Sequence, residues 1–217
     1  MPLVPSYIQN LANYVPGKTI DEVQREMGIS EVIKLASNEN SLGPSPRAMA
    51  AMRLAMEKIH RYPDPSGYIL RKKLAKKYSV KMENVILGAG SEGIMSTIIR
   101  TFLLSDDEII SAENSFIGFR VLANASGKKI NWIPMKNYRY DLQAIADRIN
   151  DYTKLIYIAN PDNPMGTYIT RQEFDSFYQH VPERVLIILD EAYYEFAHSI
   201  SDYPDSMAYR YDNVITL

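Results

Sequence analysis

The sequence predicts an α/β protein, with a mostly parallel sheet sandwiched in a three-layer α/β/α arrangement, and three observations carry that expectation. From residue 84 onward, apolar runs at 85–87, 108–112, 129–134, 155–159 and 185–189 alternate with stretches of helical length. The clearest run, V-L-I-I-L at 185–189, is apolar without a period of two, as in a strand buried on both faces. The segments between runs are of crossover length, which parallel neighbours require.

Taken in order, residues 5–14 and 19–27 are expected to be short helices. The second has a Thr19 and Glu22 capping box and stops at Gly28. A short strand is expected at 33–35. Ser37-Asn38-Glu39-Asn40-Ser41-Leu42-Gly43-Pro44 has too few apolar residues to pack as an element and reads as a loop. Ser45 as N-cap and Pro46 at the first helical position start a helix to residue 58, and Tyr62-Pro63-Asp64-Pro65 breaks the chain before another at 68–78. Crossover helices are expected at 93–103, 116–126, 141–149 and 171–180, the last with a Thr170 and Glu173 capping box. Residues 214–217, V-I-T-L, read as the start of a further buried strand, so the chain is expected to be a piece of a longer protein.

Composition narrows the function. With 217 residues, 46% of them hydrophobic, the chain can bury a substantial core and hold one domain, or one large domain with part of another. A net charge of −2 with interspersed signs argues against a nucleic-acid surface. Arg71-Lys72-Lys73 and Lys76-Lys77 fit the solvated face of one helix. The absence of cysteine excludes disulfides, thiolate metal sites and a cysteine nucleophile, and it suits a reducing cytoplasm. With no signal-peptide pattern and no apolar run of membrane-spanning length, a cytoplasmic location is expected, with neither membrane nor nucleic-acid partners and no metal.

Three loops carry candidate chemistry. Asp190 ends the 185–189 run, where ligands of open α/β sheets collect; the competing role is a helix cap. Gly88-Ala89-Gly90-Ser91-Glu92-Gly93 opens a helix, and its N–H groups with the helix dipole make a phosphate cradle. Its spacing also matches a dinucleotide fingerprint, with Glu113 placed 20 residues after Gly93, so an NAD-dependent oxidoreductase stays open. Asn160-Pro161-Asp162-Asn163-Pro164-Met165-Gly166 makes a rigid turn that holds the Asn163 amide towards the same crevice. A phosphate cradle, an anion and hydrogen-bond donors at successive strand ends suit pyridoxal phosphate. Asp190 would keep its ring nitrogen protonated, Asn163 and Tyr193 would donate to its ring oxygen, and Phe116 would cover its face. An ATPase is a weaker alternative, because Gly17-Lys18-Thr19 imitates only half of a P-loop, with Ala12 where its first glycine belongs.

With these residues in place, the chain resembles the histidinol-phosphate aminotransferase family of the fold-type I pyridoxal-phosphate superfamily. The resemblance lies in Asn38-Glu39-Asn40 with Leu42-Gly43-Pro44-Ser45-Pro46, Arg61-Tyr62-Pro63-Asp64, Leu70-Arg71, the Gly88 to Glu92 turn, Asn160 to Gly166 and Asp190-Glu191-Ala192-Tyr193. It implies that residues 1–45 are an arm and part of a small domain, and that 46–217 begin the large coenzyme-binding domain. It implies that Gly90, Ser91 and Glu92 hold the coenzyme phosphate, Phe116 stacks on the ring, Asn163 and Tyr193 bond its oxygen, and Asp190 pairs with its nitrogen. Tyr62 is expected to reach the phosphate of the neighbouring subunit's coenzyme in a homodimer, and Asn38, Asn40 and Leu42 to help close over substrate. The implied reaction is amino transfer between histidinol phosphate and 2-oxoglutarate, forming imidazole acetol phosphate and glutamate in histidine biosynthesis. Aromatic-amino-acid aminotransferases and threonine-phosphate decarboxylases are the nearest alternatives. Met165 and Glu92 stand where the family usually has threonine and aspartate. The family's Schiff-base lysine is expected beyond Leu217, so these 217 residues by themselves are expected to be inactive; Lys136 and Lys154 lack its context.

Overall fold

The computed structural model describes residues 3–12 and 16–217. These form two compact units, residues 1–12 with 74–217 and residues 13–73. In the smaller unit, α2 (Ile20–Met27) is opened by the Thr19 side chain, which accepts from the Glu22 N–H, and is closed by Gly28 at φ 67°. The left-handed backbone at that position is one that glycine adopts without a Cβ penalty. Helix α3 (Pro46–Ala55) begins with proline at its first turn and runs into a 3₁₀ turn, Met56–Lys58. Helix α4 (Tyr68–Tyr78) has the expected bounds and exposes Lys72, Lys73, Lys76 and Lys77. Helix α1 (Ser6–Gln9), which belongs to the larger unit, is shorter than the helix expected over 5–14, of which residues 13 and 14 lie outside the described residues.

The larger unit is built on β1 (Glu108–Ala112), β2 (Lys129–Ile133), β3 (Thr153–Ala159), β4 (Leu186–Asp190) and β5 (Val214–Thr216). Their order is β2-β1-β3-β4-β5, and every pairing is parallel. Side chains alternate across the sheet, so each strand feeds two cores. Ile110, Ile156, Ile158, Ile187 and Leu189 pack with Ile145 of α7 (Leu142–Arg148) and Phe174 and Phe177 of α8 (Arg171–Tyr178). Ile109, Leu155, Tyr157 and Ile188 pack with Met95, Ile98 and Ile99 of α5 (Gly90–Phe102) and Phe119 of α6 (Ile117–Ala125). This is the expected three-layer sandwich. The chain steps from β1 outward to β2 and then back past β1 to β3, and α6 lies on the opposite face from α7, as right-handed crossovers demand.

Two expected strands do not form. Residues 33–35 and 85–87 pair with no strand of the sheet, and Ile33, Leu35 and Ile86 are exposed at 88%, 89% and 75%. A strand exists through its ladder, and two or three apolar residues with no strand to pair gain too little burial to order as one. Helix α5 also starts three residues earlier than expected, at Gly90.

At the amino ends of the strands, Glu108 is buried and accepts from Lys129 Nζ at 2.6 Å, Asn131 Nδ2 at 2.7 Å and Asn150 Nδ2 at 3.1 Å. These donors outweigh the cost of burial, and the Lys129 bond leads them in holding the carboxyl down to about 2. A carboxyl depressed on folding adds stability above its unfolded value and loses it as pH falls through the folded one. Urea unfolding of the wild type is therefore expected to show a loss of stability between about pH 4.5 and 2, flatter in Glu108→Gln, which should cost about 2 kcal/mol at pH 7. Equal acid sensitivity in the two proteins would remove this role for Glu108.

Candidate active site

Four chain segments of the larger unit meet at the carboxyl ends of β1, β3 and β4. They enclose a crevice of about 140 Å³ lined by Ser91, Phe116, Ala159, Pro161, Asn163, Asp190, Ala192 and Tyr193. Each segment arrives there for a local reason. Alternation along β4 puts the Asp190 side chain on the Ile188 face, the side of the sheet that α5 and α6 cover. Phe116 is the N-cap residue of α6, shortly after β1. Asn163 sits in the turn after β3, between Pro161 and Pro164.

Asp190 is 5% exposed and accepts from the Tyr157 hydroxyl at 2.7 Å and the Ala192 N–H at 3.3 Å. Burial pushes its carboxyl above the usual range, and those two donors pull it only part of the way back. Tyr157 is fully buried, stacked on Phe119 with ring centroids 3.9 Å apart, so its hydroxyl is aimed rigidly. Desolvation, with Asp190 alongside, pushes that hydroxyl far upward, and it acts here only as a donor. The Asn163 amide donates to the Tyr193 hydroxyl at 3.3 Å, which brings together the two groups assigned to one ligand atom.

At the start of α5, Gly90 takes φ 69°, and the place its Cβ would occupy has no atom within 4 Å. That opening beside Ser91, at a helix N-terminus, suits an anionic group. The Glu92 carboxylate and the Phe116 ring both lie within 2.6 Å of where a Cβ on Gly118 would sit, so Gly118 is what lets them pack there. Gly90 and Glu92 do not line the crevice.

Tyr62, Asn38, Asn40 and Leu42 belong to the smaller unit. Tyr62 and Leu42 are almost wholly exposed there, and Asn40 folds its loop by donating to the Gly43 carbonyl and accepting from the Leu42 N–H. Lys136 lies in a tight turn paired with Arg139, and Lys154 donates to the Arg184 carbonyl near the amino end of β3. Neither lines the crevice.

Residues to which the sequence assigned no role also surround the site. Besides Tyr157, the Asp162 carboxylate accepts from Ser115 and Met165, and Glu191 is buried with one oxygen unpartnered among the described residues. A tyrosine inside the apolar run L-I-Y-I-A was the one available sign of such a buried polar contact.

The fold and the crevice define an α/β protein that presents an acid, donors and a helix N-terminus to one ligand at parallel strand ends. The family model for class I and II aminotransferases matches residues 30–217. A histidinol-phosphate aminotransferase of Anaeromyxobacter sp. (strain Fw109-5) is 45% identical over 220 aligned positions, covering 100% of this chain and 60% of that protein. Histidinol-phosphate aminotransferase 2 of Carboxydothermus hydrogenoformans is 42% identical over 205 positions, 94% of this chain and 57% of its own. The crystal structure of the Sinorhizobium meliloti histidinol-phosphate aminotransferase, in complex with pyridoxal-5'-phosphate, superimposes with a TM-score of 0.85 at 27% identity, covering 100% of this chain and 58% of that one. The chain belongs to the class I and II aminotransferase family. It spans 57 to 60% of the length of these relatives.

Membership removes the oxidoreductase and ATPase alternatives, and local structure agrees. Among the described residues no strand precedes the Gly88 turn, Lys18 is paired with Glu26, and Thr19 caps α2.

Glu191 gives a pH test of opposite sign to Glu108. Burial raises its carboxyl to about 7. The folded state then retains a proton that the unfolded state has lost, so this residue's contribution falls as pH rises from about 4.5 to 7. Glu191→Gln should unfold at higher urea than wild type at pH 8, by about 2 kcal/mol, with the gain absent at pH 4.5. A gain that does not vary with pH would refute the buried-acid account.

Proposed function

We propose that the complete protein is a pyridoxal-phosphate-dependent histidinol-phosphate aminotransferase, which exchanges an amino group between histidinol phosphate and 2-oxoglutarate at one crevice. The observation that carries this is Asp190, a buried acid whose own hydrogen bonds leave its ionisation incompletely compensated. A cationic ring nitrogen completes it, and reciprocally a buried anion keeps that nitrogen protonated. When bound, the coenzyme supplies an electron sink.

The chain's own residues supply the rest. Ser91 and the N–H groups at the start of α5 would bind the phosphate with Gly90, whose missing Cβ leaves room for it. Phe116 would cover the ring, excluding water from one face. Asn163 and Tyr193 would hold the ring oxygen, and Glu92 would offer its backbone N–H to the phosphate while its carboxylate lies beside Gly118. The covalent lysine is assigned to none of residues 1–217.

Histidinol phosphate is favoured over aromatic amino acids and threonine phosphate by the names of the relatives at 42–45% identity. We further assign Asn38, Asn40 and Leu42 to the substrate loop, and Tyr62 to the coenzyme phosphate of a second subunit in a homodimer. Residues 1–45 would form the arm and part of the small domain, and 46–217 the beginning of the coenzyme domain. A cytoplasmic location fits a biosynthetic enzyme of this kind; among the described residues no helix is long and apolar enough to cross a membrane.

Amino transfer between histidinol phosphate and 2-oxoglutarate, assayed on the complete protein with added pyridoxal phosphate, tests the assignment. Asp190→Asn should lower kcat by about 10² or more, because it removes the anion that would keep the ring nitrogen protonated and so able to take up electrons. Faster turnover of an aromatic amino acid than of histidinol phosphate would overturn the substrate; an undiminished Asp190→Asn enzyme would overturn the site.

A further inference from the structure

Ser115 and Asp162 each directly precede a residue assigned to the coenzyme, Phe116 and Asn163. They are 47 residues apart in sequence, yet Ser115 Oγ donates to Asp162 Oδ1 at 2.6 Å. The Tyr140 hydroxyl lies 2.5 Å from the same Ser115 oxygen and accepts from the Ala159 N–H at 2.9 Å. Tyr140 is hydrogen-bonded to Asp162 as well as to Ser115, so both hydroxyls converge on the carboxylate, and the bonds link Ala159 through Tyr140 and Ser115 to it. The second oxygen of Asp162 accepts from the Met165 N–H at 3.1 Å, fastening the far side of the Asn163 turn. Asp162 and Tyr140 are buried, at 3% and 9% exposure. Ala159, where the chain of bonds begins, is itself a wall of the crevice.

We infer that Asp162, with Ser115 and Tyr140, is a positioning unit that ties the loop bearing Phe116 to the loop bearing Asn163, so that the stacking ring and the amide donor are set as one geometry.

The inference rests on the coenzyme reading above for its consequence, though not for the coupling between loops. A carboxylate is suited to this place because donors point at both of its oxygens, Ser115 at one and the Met165 N–H at the other. In the variant Asp162→Asn the new side-chain amide would have to turn its NH₂ towards one of them, releasing either Ser115 or Met165. The two loops follow different strands, β1 and β3, and in the described structure this network is what spans them beside the crevice. A second layer of hydrogen bonds of this kind holds contact residues within the tolerance that ligand chemistry needs.

The test uses Ser115→Ala, Asp162→Asn and the double variant of the complete protein, with Glu108→Gln as a control for loss of a buried network remote from the crevice. In the coenzyme-free protein, hydrogen exchange is the readout. Ser115→Ala should speed exchange at Met165 and Gly166, and Asp162→Asn should speed it at residues 120–122, the first hydrogen-bonded amides of α6, while Glu108→Gln leaves both segments unchanged. With pyridoxal phosphate added, both single variants should bind it about tenfold more weakly and alter the visible circular dichroism of the bound coenzyme. The double variant should be no worse than Asp162→Asn alone. Exchange changes confined to the mutated loop, or additive losses of affinity, would overturn the inference. Should wild type bind no coenzyme, the site reading falls and the exchange data alone decide the coupling. Should Asp162→Asn fail to fold, Ser115→Ala carries both arms.

Discussion

The structure of the larger unit turns on keeping a carboxyl group dry at the end of a central strand. Placing an acid there costs several kcal/mol unless hydrogen bonds compensate it. Asp190 has two donors, one from a hydroxyl on the neighbouring strand and one from its own turn. The first is available only because β3 and β4 pair in a register that sets Tyr157 beside Ile188 and Ala159 beside Asp190. A slip of one residue would turn Tyr157 to the opposite core and leave the acid without its better donor. The stacking of Tyr157 on Phe119 of α6 extends the same requirement to helix packing. Register, crossover placement and aromatic packing thus serve one buried charge.

The two ends of the sheet handle acids in opposite ways. At the amino ends, Glu108 is surrounded by donors and its carboxyl is held down. At the carboxyl ends, Asp190, Glu191 and Asp162 are all pushed up, in each case first by burial. The two ends differ in which effect leads: donors, Lys129 first, outweigh desolvation at Glu108, whereas desolvation outweighs the donors present at Asp190, Glu191 and Asp162. An acid whose bonding is complete adds stability; one whose bonding is incomplete is stabilised further by whatever cation enters beside it. Stability forgone at the mouth is the physical counterpart of ligand affinity there.

Much of this was legible in the sequence, and the failures share a cause. Strands buried on both faces, such as those at 155–159 and 185–189, form within one or two residues of the expected bounds, and the Thr170 capping box forms as expected, since composition and local hydrogen bonding suffice for them. Residues 33–35 and 85–87 are also rich in apolar side chains but have no ladder, which no local pattern reveals. At the crevice, residues that end an element are visible: Asp190, Asn163, Phe116 and Ser91 interrupt a pattern. Ser115 and Tyr140 interrupt nothing, and Tyr157 shows itself only as a hydroxyl inside an apolar run. Their partners lie 19 to 47 residues away, so their roles exist only once the sheet has formed.

Topology explains why the crevice opens where it does. After β2 the chain reverses its direction of travel across the sheet and must change faces to keep its crossovers right-handed. Consequently the connection leaving β1 turns towards α6, while the connection leaving β3 turns towards α8 on the other face. The two loops diverge above adjacent strands, and the space between them cannot be filled by either helix. Phe116 stands on one side of that gap, Asn163 on the other, and Asp190 closes it from the next strand. Divergence creates the space but also separates the loops that line it, so a link such as Ser115 to Asp162 answers a problem the topology itself creates. The fold supplies the opening, and buried polar bonds between its rims decide how well defined that opening is.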